Sequence, residues 1–184
     1  MWHGVCGDES AFFASLIEID ERLALATREL GCPCCGGRLH RADYPRKPRG
    51  IPAAWDASFS WRISLCCATE GCRKRCTPRS VRFFGRRVYI AAVIVVVSGL
   101  WATARSARVP RNTARRWRRY FDGDFPQSAF WASARGSLMP PIESSTLVAS
   151  LLCRFSGEPA HKLRSALRFL SPVTTKSAPE MMAV

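Results

Sequence analysis

The sequence predicts an α+β protein, mostly helical, in which a zinc ribbon precedes a helix-turn-helix region. Three observations carry this. Seven of nine cysteines sit in two patches, "GCPCCGG" at 31–37 and "CCATEGCRKRC" at 66–76. An alternating apolar/polar stretch lies between them, and helix-period segments lie on both sides. The charge is also lopsided. Lys and Arg number 28 against 14 Asp and Glu, a net +14. Residues 1–31 carry six acids and two arginines, so the excess belongs to the rest of the chain. Such a body suits a polyanionic partner, either nucleic acid or an anionic membrane surface.

Residues 1–31 form the first expected segment, an acidic helix. Phe12, Leu16, Ile19, Leu23, Ala26 and Leu30 recur at spacings of four and three. Asp8 or Ser10 suits the N-cap, and Gly31 ends the helix. A stripe shorter than three heptads fits packing on its own domain, with a short coiled-coil homodimer as the alternative. The opening "MWHGVCGDESAFF" lacks a basic n-region, a long apolar run and a cleavage site, which argues against secretion. The odd cysteine count argues against a disulfide framework. A cytoplasmic, nucleoid-associated location is expected, and clustered thiols in a reducing compartment point to metal.

Residues 32–85 form the cysteine segment. A tetrahedral zinc takes four ligands, two from each of two short loops. Cys32 and Cys35 give a C-x2-C loop, with Pro33 stiffening the turn and Gly36 free to take a positive φ. In the second patch Cys67 and Cys72 follow a C-x4-C spacing, with Gly71 just before Cys72. "FSWRISLC" reads as one half-buried strand, with Phe59, Trp61, Ile63 and Leu65 on one face and Ser60, Arg62 and Ser64 on the other. That phase puts Cys67 on the apolar face and Cys66 on the polar one. Cys66 or Cys76 could replace a member of the quartet, and His40 is near enough to serve as a reserve ligand. Four thiolates leave no open position for water, so the zinc is expected to be structural. No H-E-x-x-H, G-x-S-x-G or phosphate-loop motif is present, and no enzymatic activity is expected. The basic, Pro-rich "YPRKPRG" at 44–50 reads equally as a minor-groove arm or as a solvated loop.

Residues 86–125 form the third segment. Residues 88–104 carry no charge and lie between Arg87 and Arg105. Seventeen residues sit at the lower limit for a membrane span, and Ser98, Gly99 and Thr103 interrupt the run. The run is expected to be the buried first helix of a helix-turn-helix unit, with a second helix near 100–107; no membrane is expected as a partner. "VPRNTARRWRRYF" follows. On a helix starting near Pro110, Ala114, Trp117 and Phe121 share one face, and Arg111, Arg115, Arg116, Arg118 and Arg119 occupy the rest. An arginine-studded helix seated by an inward Trp suits the major groove of double-stranded DNA. Asn112 and Thr113, near its N-terminus, would reach base edges while the arginines grip phosphate. Two short helices at 145–155 and 159–170 form a hairpin within a C-terminal extension, residues 126–170. Residues 171–184 lack periodicity and read as a disordered tail.

The order of these parts resembles a group of small bacterial zinc-ribbon and helix-turn-helix proteins, and the DNA-binding front ends of insertion-sequence transposases. The residues carrying the resemblance are the "CPCCGG" knuckle, "CCATEGCRKR", "TPRSVRFFGRRVY" and "VPRNTARRWRRYF". It implies zinc ligation by Cys32, Cys35, Cys67 and Cys72, and a DNA-reading helix over 110–121. Such transposases continue into a ribonuclease-H-like domain with three spaced acids. Here about sixty residues follow Phe121, with Asp122, Asp124, Glu143, Glu158 and Glu180 as their acids, too little chain for that fold. The resemblance therefore implies an accessory or regulatory module of a mobile element, with a transposase or other protein as a further partner. The alternatives are a membrane-anchored zinc-ribbon protein and an RNA-binding or bridging module.

Overall fold

The computed structural model describes residues 8–51, 57–84, 89–99, 109–143 and 146–175, and the protein is α+β. It forms two compact units. One comprises Phe13–Ile90 together with the chain from Leu170 onward; the other comprises Ala91–Phe169 with the first turn of the N-terminal helix.

Helix α1 (Glu9–Glu29) begins where the Asp8 carboxylate accepts the Ala11 amide at 3.0 Å, an N-cap in the expected place. It ends at Gly31, whose φ of 77° lets its amide turn back to the Arg28 carbonyl. The buried face differs from the expected stripe. Phe12, Leu16 and Ile19 are buried, but the face continues through Asp20, Ala24 and Thr27, leaving Leu30 exposed. Apolar spacing could not anticipate a buried carboxylate. Asp20 accepts from the Ser80 hydroxyl at 2.7 Å, the Val81 amide at 2.7 Å and Arg82 Nε at 2.8 Å.

Five short strands follow: β1 (Leu39–Arg41), β2 (Tyr44–Pro45), β3 (Trp61–Arg62), β4 (Leu65–Cys67) and β5 (Arg75–Cys76). They form an antiparallel sheet in the order β1-β4-β5 and a separate antiparallel pair, β2-β3. The single strand expected over 59–66 is therefore split. Residues Ala57–Ser60 form a 3-10 turn, and the chain changes partner between β3 and β4. At the change the Asp43 carboxylate, rather than a backbone carbonyl, accepts the Ser64 amide at 3.1 Å. Two buried arginines grip this segment. Arg82 donates to the carbonyls of Phe59 and Trp61, at 3.0 and 3.1 Å, and Arg62 donates to the carbonyl of Pro78. The alternation is consequently inverted at its centre: Arg62 and Ser64 are buried and Trp61 is 46% exposed, while Phe59, Ile63 and Leu65 stay inside.

Order also extends past Leu170. Residues Ser171–Thr174 form a 3-10 turn with Ser171 and Thr174 buried, where the sequence suggested a disordered tail. The Thr174 hydroxyl accepts the Ser80 amide at 3.0 Å, and the Thr175 hydroxyl donates to the Thr77 carbonyl at 2.7 Å. These bonds join positions more than ninety residues apart, which local periodicity cannot register. Residues 176–184 lie outside the described residues.

The other unit is helical: α2 (Ala91–Gly99), α3 (Arg111–Arg119), α4 (Ala129–Ala134), α5 (Leu147–Cys153) and α6 (Pro159–Leu170). Ala91 to Val97 are all buried, the pattern of a helix with no solvent face. Gly99 permits close approach to α5, because a Cβ there would lie 3.3 Å from Val148 Cγ1. The second helix expected near 100–107 lies outside the described residues. Among the described residues no helix is long and apolar enough to cross a membrane. α3 continues into a π turn at Tyr120–Asp124 and a 3-10 turn at Phe125–Gln127. Phe125 there meets Phe121 and Trp131, with ring centroids 5.5 and 5.3 Å apart, so α3 and α4 share one aromatic core. Leu163, Ala166, Leu167 and Leu170 of α6 are buried as their spacing predicts.

Candidate metal centre and basic helix

The two cysteine loops converge. The sulfurs of Cys32, Cys35, Cys67 and Cys72 all lie within 4.8 Å of one another. Cys32 and Cys72 are 3.8 Å apart, and Cys35 and Cys67 are 3.5 Å apart. A tetrahedron with metal–sulfur bonds of about 2.3 Å has S···S edges of about 3.8 Å, so the set fits a thiolate-bound metal ion.

The first loop is closed by the Cys32 amide on the Gly37 carbonyl and the Gly36 amide on the Cys32 carbonyl, both at 2.8 Å. Gly36 has φ 71°. The second loop follows β4, where the Cys72 amide donates to the Thr69 carbonyl at 3.1 Å. Its counterpart of Gly36 is Arg73, which also directly follows a cysteine of the quartet. Arg73 has φ 43°, the one positive φ outside glycine among the described residues. That left-handed residue is uncommon for a bulky side chain and is retained at a conformational cost.

Donors from both loops converge on the sulfurs. The amides of Cys34 and Cys35 lower the pKa of Cys32. The Thr69 hydroxyl, followed by the Thr69 amide, holds Cys67 down to about 6. The Lys74 amide pulls Cys72 down, but the neighbouring sulfur of Cys35, burial, and the sulfurs of Cys32 and Cys67 together push it up to about 12. Four negative sulfurs at this spacing repel one another, and a cation at their centre offsets that repulsion.

The remaining candidates are separated from the quartet. Cys34 is exposed. Cys66 lies on the opposite face of the sheet from Cys67, pairs in register with His40 and Arg75, and contacts the Arg73 carbonyl. Cys76 is buried in the small core of Cys32, Leu39, Leu65 and Cys67, and burial, followed by the charge of Cys32, raises its pKa. Neither Cys66, Cys76 nor His40 belongs to the close cluster among the described residues. Two supporting residues were not legible in the spacing. Thr69 supplies its hydroxyl to Cys67, and Gly37 leaves room for it: a Cβ on Gly37 would fall 2.1 Å from Thr69 Oγ1. The only trace in the sequence is the second glycine of "CGG".

The basic helix is built as its periodicity predicts. The Thr113 and Ala114 amides donate to the Pro110 carbonyl, which starts α3, and Ala114, Trp117 and Phe121 are buried. Arg111, Asn112, Arg115, Arg116, Arg118 and Arg119 are exposed and Thr113 is half-buried. Asn112, Arg115, Arg116 and Arg119 line one open concavity, at positions i, i+3, i+4 and i+7. No carboxylate among the described residues pairs with Arg111, Arg115, Arg116 or Arg119. Arg118 lies apart from them, in a groove with Asp122, Ser98 and the start of α5.

No protein-family model, curated protein or solved structure matches this chain.

Proposed function

We propose that the protein binds double-stranded DNA through α3, and that Cys32, Cys35, Cys67 and Cys72 hold one structural Zn2+ that organises a ribbon. The observation that carries the DNA reading is the face of α3. Four polar or cationic side chains share one concavity, its arginines have no carboxylate partner among the described residues, and the helix is seated from behind by Trp117. A helix offering several unpaired guanidinium groups recovers favourable energy on meeting a row of phosphates, because condensed counterions are released. Zinc is the reading for the metal because four thiolates at tetrahedral spacing, supported by amide and hydroxyl donors, match its structural sites. In this reading the metal bonds the chain and takes no part in a reaction. The resemblance of the motifs to transposase front ends is what supports reading the protein as an accessory or regulatory module of a mobile element.

The test is a binding titration on a selected duplex and on random duplex across a range of salt. Affinity should fall steeply as salt rises. Arg116→Ala and Arg119→Ala should weaken both duplexes alike and each lower the salt slope by about one. Asn112→Ala or Thr113→Ala should change the preferred sequence, at about 1–3 kcal/mol on the best site. Arginine variants that bind like the parent would remove α3 as the contact. Competition in which structured RNA displaces duplex would move the reading to RNA.

A further inference from the structure

Among the described residues of the unit Phe13–Ile90, Trp61 is the exposed large aromatic, 46% accessible. Its placement is enforced. The carbonyls of Phe59 and Trp61 both accept from the Arg82 guanidinium, and Arg82 is itself held by Asp20. Arg82 and Asp20 are both buried, at 2% and 1% exposure. Next to Trp61, Arg62 is turned inward although one of its nitrogens, Nη1, finds no partner among the described residues. Removing two guanidinium groups and a carboxylate from water is expensive. The local result is a strand segment that cannot rotate its indole inward.

The strand paired with Trp61 leads into a basic segment. Pro45 lies directly across the β2-β3 ladder from Trp61 and is exposed. The Arg46 amide donates to the Ser60 carbonyl at 2.8 Å, which sets the following basic segment beside the ladder. Lys47 and Arg49 in that segment are exposed, and no acid interrupts residues 44–50.

From this we infer that Trp61 is a stacking platform for an unpaired base, with residues 46–49 neutralising the adjoining phosphates of a single strand. An exposed indole on a strand whose backbone is held in place, in a unit with a basic, acid-free segment, combines the two elements of sequence-tolerant single-strand binding. The partner is a single-stranded nucleic acid. This surface goes beyond the reading given to α3 and does not depend on it.

The experiment compares full-length protein binding to an oligothymidylate and to an abasic strand of equal length and charge. The parent should prefer the strand that carries bases. Trp61→Ala should lose about 5- to 150-fold on oligothymidylate and nothing on the abasic strand, and Trp61→Phe should keep most of the preference. Equal parent affinity for the two strands, a preference that survives Trp61→Ala, or equal loss on both strands would each overturn the inference. Arg116→Ala should leave the base preference intact. A parent protein that fails to bind duplex while keeping the Trp61-dependent base preference would overturn the α3 reading alone.

Discussion

Gly37→Ala tests the metal centre at a point where the geometry allows a magnitude. The new Cβ would lie 2.1 Å from Thr69 Oγ1, 3.2 Å from Cys35 Sγ and 3.3 Å from Cys67 Sγ. The first distance is impossible, so the Thr69 hydroxyl must leave and its hydrogen bond to Cys67 goes with it. A hydrogen bond to a charged group contributes about 1.5–3 kcal/mol, which predicts a loss of roughly 10- to 150-fold in metal affinity. Thr69→Ala should lose a similar amount without any clash. The double variant should then cost little more than Thr69→Ala alone, because the obstructing atom is gone. Zinc competition against a chelating dye measures all three, and cobalt absorption gives an independent reading. Gly37→Ala within twofold of the parent, or single effects that simply add, would refute the argument that Thr69 is both donor and obstacle.

Cys32→Ser and Cys72→Ser should each abolish stoichiometric metal by elemental analysis and unfold the ribbon, since metal binding and folding are linked. Cys34→Ser should retain metal, as should Cys76→Ala, which leaves the quartet intact and costs about 1 kcal/mol of packing. Asp20→Ala should destabilise by about 3–5 kcal/mol in a denaturant titration, because it leaves Arg82 buried without its counter-charge. Trp117→Ala should cost about 3–5 kcal/mol in thermal unfolding; Trp117 is 2% exposed. A weaker duplex affinity at unchanged stability would instead make Trp117 a contact.

Several features were legible because they depend on short-range spacing. A C-x2-C loop ending in glycine has few ways to turn, and the phase of 63–67 placed Cys67 inside and Cys66 outside. The apolar positions of α3 and α6 recur at helical period, and the burial of Ala114, Trp117, Leu163 and Leu167 follows that period. The cap at Asp8 and the stop at Gly31 are local hydrogen-bond chemistry of the same kind.

The rest depended on partners far away in the chain. Spacing placed Trp61 inside and Arg62 outside, and the structure reverses both because Arg82, some twenty residues later, takes the carbonyls around Trp61. Asp20 sits on the buried face of α1 because Ser80, Val81 and Arg82 supply donors about sixty residues away. Thr174 is ordered by Ser80, and Thr69 reaches Cys67 only because Gly37 has no side chain. By itself the sequence determined the ligand spacing, the helical stripes and the excess of charge, all set by backbone geometry over a few residues. Only the tertiary structure decided which polar groups could be buried. A buried charge is tolerated when donors or acceptors surround it, and here those groups come from segments that meet only after folding.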